Sequence, residues 1–503
     1  MNATVRKRLA SRKRSITARL ARPAPINPSM PVFAGGNTHY EMGERQRGLA
    51  YGGIGLFLEL AKQTGLVESI DQRLHLLKFH FPYHESDHVL NFALNSLCDG
   101  RCLQDIELRR NDEAFLDALG TDRIPDPTTS GDFCRRFSER DLQLLHEAID
   151  VARLRVWARQ PDEFFNRATL DFDGTLVPTR GEKKEGVDIA YDGTWAYHPL
   201  ICTLAETREV LRIINRPGNR PSHEGAAREA DQLIDLCRTA GFREILLRGD
   251  TDFSQSVHLD RWDEGGVKFV FGFDAHPGLV ARAELLPKSG WNRLVRPPRY
   301  EVRTEPRQKR EHVKQRIVEE RLYQDLRLES EDVAVFEYRP TACRQAYRMV
   351  VVRKNLSVNV AQQRLFPEVR YFFYITNLTD VPPQVVFTAN GRCQQENCIE
   401  QLHNGCRALR AGLDTLAANG ACMLMTALAW NLKAWAALWL PEEPGRWQEL
   451  HQAQKQTLLK IEFRTFINTF VRLPCQILRS GRRLIYRLLS WNPELPVFFR
   501  LAE

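Results

Sequence analysis

Three acids stand where a strand or helix presents them to a cleft. Asp173 closes the run Leu170-Asp171-Phe172-Asp173-Gly174-Thr175, Asp250 closes Leu247-Arg248-Gly249-Asp250, and Glu396 follows Arg392 early in a helical stretch. Taken singly, each has an ordinary explanation, since acids at strand ends form turns and an acid in a first helical turn complements the dipole. Their order says more. Side chains at the carboxyl ends of neighbouring strands converge on one sheet edge, and a helix laid against that edge adds a third carboxylate. Three hard oxygen ligands with open positions suit Mg²⁺ or Mn²⁺ rather than zinc. Two such ions, about 3.5–4 Å apart, activate an attacking oxygen and stabilise the leaving oxygen of a phosphodiester. Their charge keeps the carboxylates ionised, as ligands rather than proton carriers.

The elements that must position these acids follow from the pattern. Residues 45–160 read as a helical domain. Asp126-Pro127-Thr128-Thr129 starts one of its helices, and Arg135 and Arg136 on that helix suit a DNA groove or, equally, the solvated face of an ordinary bundle. From 165 the period changes. Strands are predicted at 168–173, 188–204, 210–215, 244–247 and 267–273 and a helix at 222–240, which together make a mixed α/β layer over 165–279. Strand-like runs after a basic stretch at 293–316 predict a β-rich insertion over 280–365, with the α/β core resuming at 366–440. The last part, 441–503, is expected to be a basic helical tail. Phe463, Phe466, Phe470, Leu473 and Ile477 fall at helical spacing there, with Arg479, Arg483 and Arg487 on one face. Residues 1–44 read as a disordered basic arm and a Pro/Gly linker.

Asp-Gly-Thr after one strand, Arg-Gly-Asp after a second, an insertion, then Arg-x3-Glu on a helix resembles the DDE transposases of bacterial insertion sequences. The spacings fit: 250 − 173 = 77 and 396 − 250 = 146. Tyr197-His198-Pro199-Leu200, Asn215-Arg216-Pro217-Gly218-Asn219 and Tyr371–Leu378 are also similar to that family. The likeness spans about residues 50–440. It implies an RNase H-like catalytic core interrupted by the insertion, with Asp173, Asp250 and Glu396 as catalytic metal ligands for two Mg²⁺ or Mn²⁺ ions. The implied reaction is cleavage and strand transfer of double-stranded DNA at element ends and target. One branch of the family carries Tyr-x2-Arg-x3-Glu-x6-Lys around its glutamate. Here Arg392 and Glu396 match, while Ala389 and His403 replace the tyrosine and lysine. The departure leaves the metal ligand intact but bears on the phosphate contacts, for which Arg392 and His403 are the candidates. Asp171 competes with Asp173 as first ligand; the family pattern, with its acid directly before x-Thr, favours Asp173.

The same letters, Asp171-Phe172-Asp173-Gly174-Thr175, also match the first motif of haloacid-dehalogenase-like phosphatases, with Asp171 as nucleophile and Asp173 as general acid. Continuing sheet where that fold needs a crossover helix, and Ser254 where it needs an acid, speak against that reading. A non-catalytic, transposase-derived DNA-binding protein is the third class.

Composition bounds the rest. Hydrophobic residues make up 43% of the 503, which excludes a wholly disordered chain. Ala421–Leu440, broken by Asn431 and Lys433, reads as a buried helix rather than a membrane span. The net charge of +8 equals the eight bases of residues 1–40, a stretch without an acid, so the remainder is neutral. Such an arm attracts polyanions in a salt-dependent way, although transit peptides share its composition. Eleven cysteines, an odd number thinly spread, argue for reduced thiols. The expected setting is the bacterial cytoplasm beside the nucleoid. Two element ends handled in concert make a homodimer on DNA the expected active form.

Overall fold

The computed structural model describes residues 2–22, 38–40, 47–296, 317, 321, 324–360, 363–443, 445–481 and 483–503. Most of the basic 293–316 stretch and of the Pro/Gly linker that follows the N-terminal arm lies outside them. The N-terminal arm corrects the expectation of disorder: α1 (Ala3–Ala21) is a helix capped by Asn2, whose side chain accepts from Thr4 N. Good helix formers and no glycine or proline occupy the run, which is why it forms. No residue in it is buried, and Arg12 ties it to the body through the Leu489 carbonyl at 2.5 Å.

A helical block follows, built on α2 (Ile54–Gln63), α3 (Leu66–Arg73), α4 (Glu85–Leu97), α5 (Pro127–Cys134) and α6 (Glu139–Trp157). The start signal at 126–129 works as its chemistry requires. Asp126 accepts from Thr129 N at 2.9 Å, and Pro127 sits where no N–H is needed.

Among the described residues the central sheet has nine strands. In chain order its main members are β1 (Arg167–Gly174), β2 (Leu200–Leu204), β3 (Glu209–Ile214), β4 (Glu244–Gly249), β5 (Lys268–Phe273), β6 (Gln324–Tyr338), β7 (Tyr347–Val360) and β8 (Gln363–Thr376). Across the sheet the order is 292–293, β6, β7, β8, β5, β4, β1, β2, β3. The β1–β4 and β4–β5 pairs are parallel, with α7 (Ala226–Ala240) in the connection from β3 to β4. The strand predicted over 188–204 is broken. Residues 188–189 and 195–197 join 177–178 in a small separate sheet, and only β2 enters the large one. Gly193 turns the chain at φ 84° and Pro199 offers no donor, so one continuous strand cannot form.

The β-rich stretch is continuous with the core. β8 pairs with β7 on one side and β5 on the other, so the predicted boundary at 365 falls inside a strand of the main sheet. Thr376 Oγ1 donates to Phe269 O at 2.7 Å and Asn377 Oδ1 accepts from Phe269 N at 2.9 Å, fastening that junction.

After α8 (Cys393–Glu400) comes α9 (Leu416–Trp439), long and apolar enough to cross a membrane but buried here between the helical block and β3. Its Asn431 side chain pairs with both Val210 N and Val210 O, at 2.9 and 2.8 Å, and so occupies ladder positions on the sheet's edge strand.

The tail departs from a purely helical one. α10 (Gln448–Lys460) is followed by a hairpin of β9 (Cys475–Ser480) and β10 (Arg483–Leu488), turning at Gly481 with φ 60°. Ile477 is therefore a strand residue. Register places Arg483 and Arg487 on one face of the hairpin and Arg479 on the other. The Phe463–Ile477 stripe is buried within the chain itself. All eleven cysteines are free thiols.

Candidate active site

The parallel register of β1 and β4 explains the 77-residue spacing. Asp171 lies level with Arg248, an offset of 248 − 171 = 77, and two residues further along come Asp173, still on β1, and Asp250, an extended residue just past the end of β4. Side-chain alternation returns both acids to the face carrying Asp171 and Arg248. Asp171 is thereby consumed. It is 1% exposed, and both its oxygens accept from Arg248, at 2.5 Å from Nε and 2.7 Å from Nη2. Arg248 Nη1 reaches on to Thr388 O at 2.8 Å, ahead of α8. A Cβ at Gly391 would lie 2.3 Å from that same nitrogen, so a larger residue there would press on the Arg248 guanidinium.

This anchoring delivers Arg392 and Glu396. Arg392 Nη1 lies 2.8 Å from Asp173 Oδ2 and 3.8 Å from Asp250 Oδ2, and Nη2 is 3.7 Å from Glu396 Oε1. One guanidinium thus gathers carboxylates from two strand ends and a helix. Gln395, buried beside it, donates to Asp171 O and Ile201 O, both at 3.0 Å, and so docks α8 across β1 and β2. Burial pushes the Asp173 carboxyl up to about 6; Arg392 opposes this, while Asp250 and Glu396 reinforce it. Asp250 is raised for the same reason, burial first. For Arg392, burial works against the charge but the three carboxylates outweigh it. The site is a concentration of negative charge matched by one internal cation.

A family model described as Transposase DDE domain group 1 matches residues 49–503. The chain belongs to this family. A solved structure of the piggyBac transposase synaptic complex with hairpin DNA is also similar, at 10% identity and a TM-score of 0.35, covering 84% of each chain. No curated protein matches.

Hard oxygen donors are what a divalent ion asks of such a transposase, and the three carboxylates supply nothing else. As the side chains stand they surround the guanidinium. Among the described residues, no three His, Cys, Asp or Glu groups are close enough together to share one ion. The donors fit the metal, provided Arg392 gives way.

Beside the acids lies His198, which the sequence did not mark individually. His198, from Tyr-His-Pro-Leu, packs so closely beneath β1 that a Cβ on Gly174 would lie 2.6 Å from its Nε2. Its Nδ1 faces the Arg220 carbonyl at 2.9 Å, which places the proton there. The motif itself was the available signal. His403 lies 3.0 Å from Thr175 Oγ1, so it touches the turn after Asp173. Arg135 and Arg136 are not brought to the carboxylates: Arg135 pairs with Asp132 and Asp414, and Arg136 donates to Leu76 O at 3.2 Å.

Proposed function

We propose that this transposase cuts DNA at the ends of a bacterial insertion sequence and joins it to a target, using Asp173, Asp250 and Glu396 as ligands for Mg²⁺ or Mn²⁺ on an RNase H-like core. The observation that carries the reading is the convergence of these three acids on Arg392 from two parallel strand ends and one helix. Bound there, divalent ions would activate the attacking oxygen and stabilise the leaving oxygen of the phosphodiester. Arg392, released from the carboxylates, takes a phosphate beside the cut, where a guanidinium's paired donors suit the oxygens. His403 steadies the Asp-Gly-Thr turn through Thr175. Arg135 and Arg136, the helix α1 and the basic stretch at 293–316 hold the duplex by its phosphates. The working form is a homodimer on two ends, in the cytoplasm.

The phosphatase reading loses its nucleophile, because Asp171 is sealed in the pair with Arg248. The test is incubation with duplex carrying the element's own end and Mg²⁺, scored for strand breaks. Cleavage by the wild type that D173N, D250N and E396Q each lose, with end binding retained, supports the assignment. Normal cleavage by all three overturns it, and end binding without any nicking makes the chain a non-catalytic remnant.

A further inference from the structure

The connection from α3 to α4, residues 74–84, carries two of the most exposed large apolar side chains in the described protein: Phe79 at 83% and Phe81 at 91%. A phenylalanine left in water forgoes the gain of burying its ring, so two on one tip point to an occupant.

The loop is built rather than slack. Buried Glu85 accepts from Leu76 N and Leu77 N, both at 3.0 Å, and its second oxygen pairs with His80 Nε2 at 3.0 Å. Tyr83 OH donates to Ile124 O at 2.9 Å, and Arg136 fastens Leu76 O from the helical block. His80 and His84 stack with ring centroids 4.7 Å apart. These anchors fix the base and leave the two phenyl rings projecting.

Charge bears on the occupant. The acids flanking the loop, Asp71, Glu85 and Asp87, each accept from backbone N–H groups at its base, and the charged residue at the tip itself is the exposed Lys78, which suits an anionic partner. Flat apolar faces beside a cation are what unpaired nucleobases bind, by stacking on the rings while the phosphate backbone meets the charge. Position agrees. The far end of α4 is tied to the chain just beyond the Glu396 helix, through Ser96 Oγ to Cys406 O at 2.9 Å and Arg407 to Asp99 at 3.0 Å. The tip caps the other end of that helix, whose 13 residues span about 20 Å.

We infer that the Lys78–Phe81 tip is a stacking finger that holds bases unpaired from the duplex, at a fixed remove from the cut. The inference rests on the DNA-acting reading above and deepens it.

The probes are two duplexes of equal length and sequence, one intact and one with a short single-stranded gap, bound to the full chain by fluorescence anisotropy across a salt series. Wild type is expected to prefer the gapped duplex. F79A/F81A should lose roughly tenfold or more on the gapped probe, little on the intact one, and keep its salt slope, since no phosphate contact is removed. F79W/F81W should restore the preference. K78A should lower the slope by about one and leave the preference in place. Equal binding of both probes by wild type and F79A/F81A overturns the finger. So does an equal loss on both probes, or a change in the sedimentation of DNA-free protein, which would assign the rings to a protein contact. A wild type that binds neither probe removes the DNA reading itself, and is told apart by that.

Discussion

At the scale of single residues, Arg392 decides how the acids behave before DNA arrives. Three carboxylates drawn to one guanidinium are a counter-charged cluster, and a divalent ion must compete with that internal cation for the same oxygens. R392A is therefore expected to bind Mn²⁺ several-fold tighter than wild type in the absence of DNA, read by the loss of free-ion EPR signal, although its strand cleavage falls; R392K should lie between. Weaker Mn²⁺ binding by R392A would mean that the arginine organises the ligands rather than rivals the metal. Gly174 offers a second prediction. Its missing Cβ is the room His198 occupies, so G174A should destabilise the fold by about 1–3 kcal/mol through overpacking. Combining it with H198A should recover part of the loss in a thermal melt. The Asp-Gly-Thr and Tyr-His-Pro-Leu motifs were legible as words in the sequence. That one is the mould of the other was not, because the contact joins strands that only the folded sheet brings together. The sequence offered Arg392 as a candidate phosphate contact; its place as the hub of the acids was not legible, for the same reason.

At the scale of elements, α9 carries an unusual core residue. Lys433 is 1% exposed, its Nζ donates to Leu459 O at 2.9 Å, and it lies 4.0 Å over the Trp430 ring. Burial pulls its ammonium down to about 7, while the unfolded chain keeps it near 10.4. Between these values the unfolded state binds more protons, so stability should rise with pH from about 7 to 10 and be indifferent to this group below 7. K433M removes the titration. In denaturant titrations its stability relative to wild type should be highest at pH 7 and decline toward pH 10; a constant difference would show that Lys433 is not desolvated. Elements also show where local pattern misled. The spacing from Phe463 to Ile477 suits a helix as far as Val471, but Cys475, Ile477, Tyr486 and Leu488 follow a two-residue alternation around a glycine turn, and that period was the hairpin's signal. β1 and β4 were legible because short apolar runs ended by acids leave few alternatives. α1 was missed because its charge was read and its lack of helix breakers was not.

At the scale of the whole molecule, the basic arm gives a simple expectation. Deleting residues 2–22 removes eight bases, and the slope of log affinity against log salt should become shallower, by at most about 7; an unchanged slope would show that α1 meets no phosphate.

A buried junction joins the helical block to the sheet. Glu209, at the start of β3, is fully buried and accepts from Arg153 and Trp157 of α6, at 3.2 and 2.8 Å, and from Trp435 of α9 at 2.8 Å. Arg212 of β3 grips Asp150 of α6 with two bonds, at 3.1 and 2.7 Å. Breaking one partner of such a pair strands a charge and costs about 3–5 kcal/mol, so the helical block, proposed above to hold the duplex, cannot pivot cheaply against the sheet that carries the three acids. The molecule is then a ruler. A base pair inserted between the gripped sequence and the native cleavage point should shift the nick by one nucleotide along the element, not be absorbed by a yielding hinge, and a sequencing gel would read the displacement.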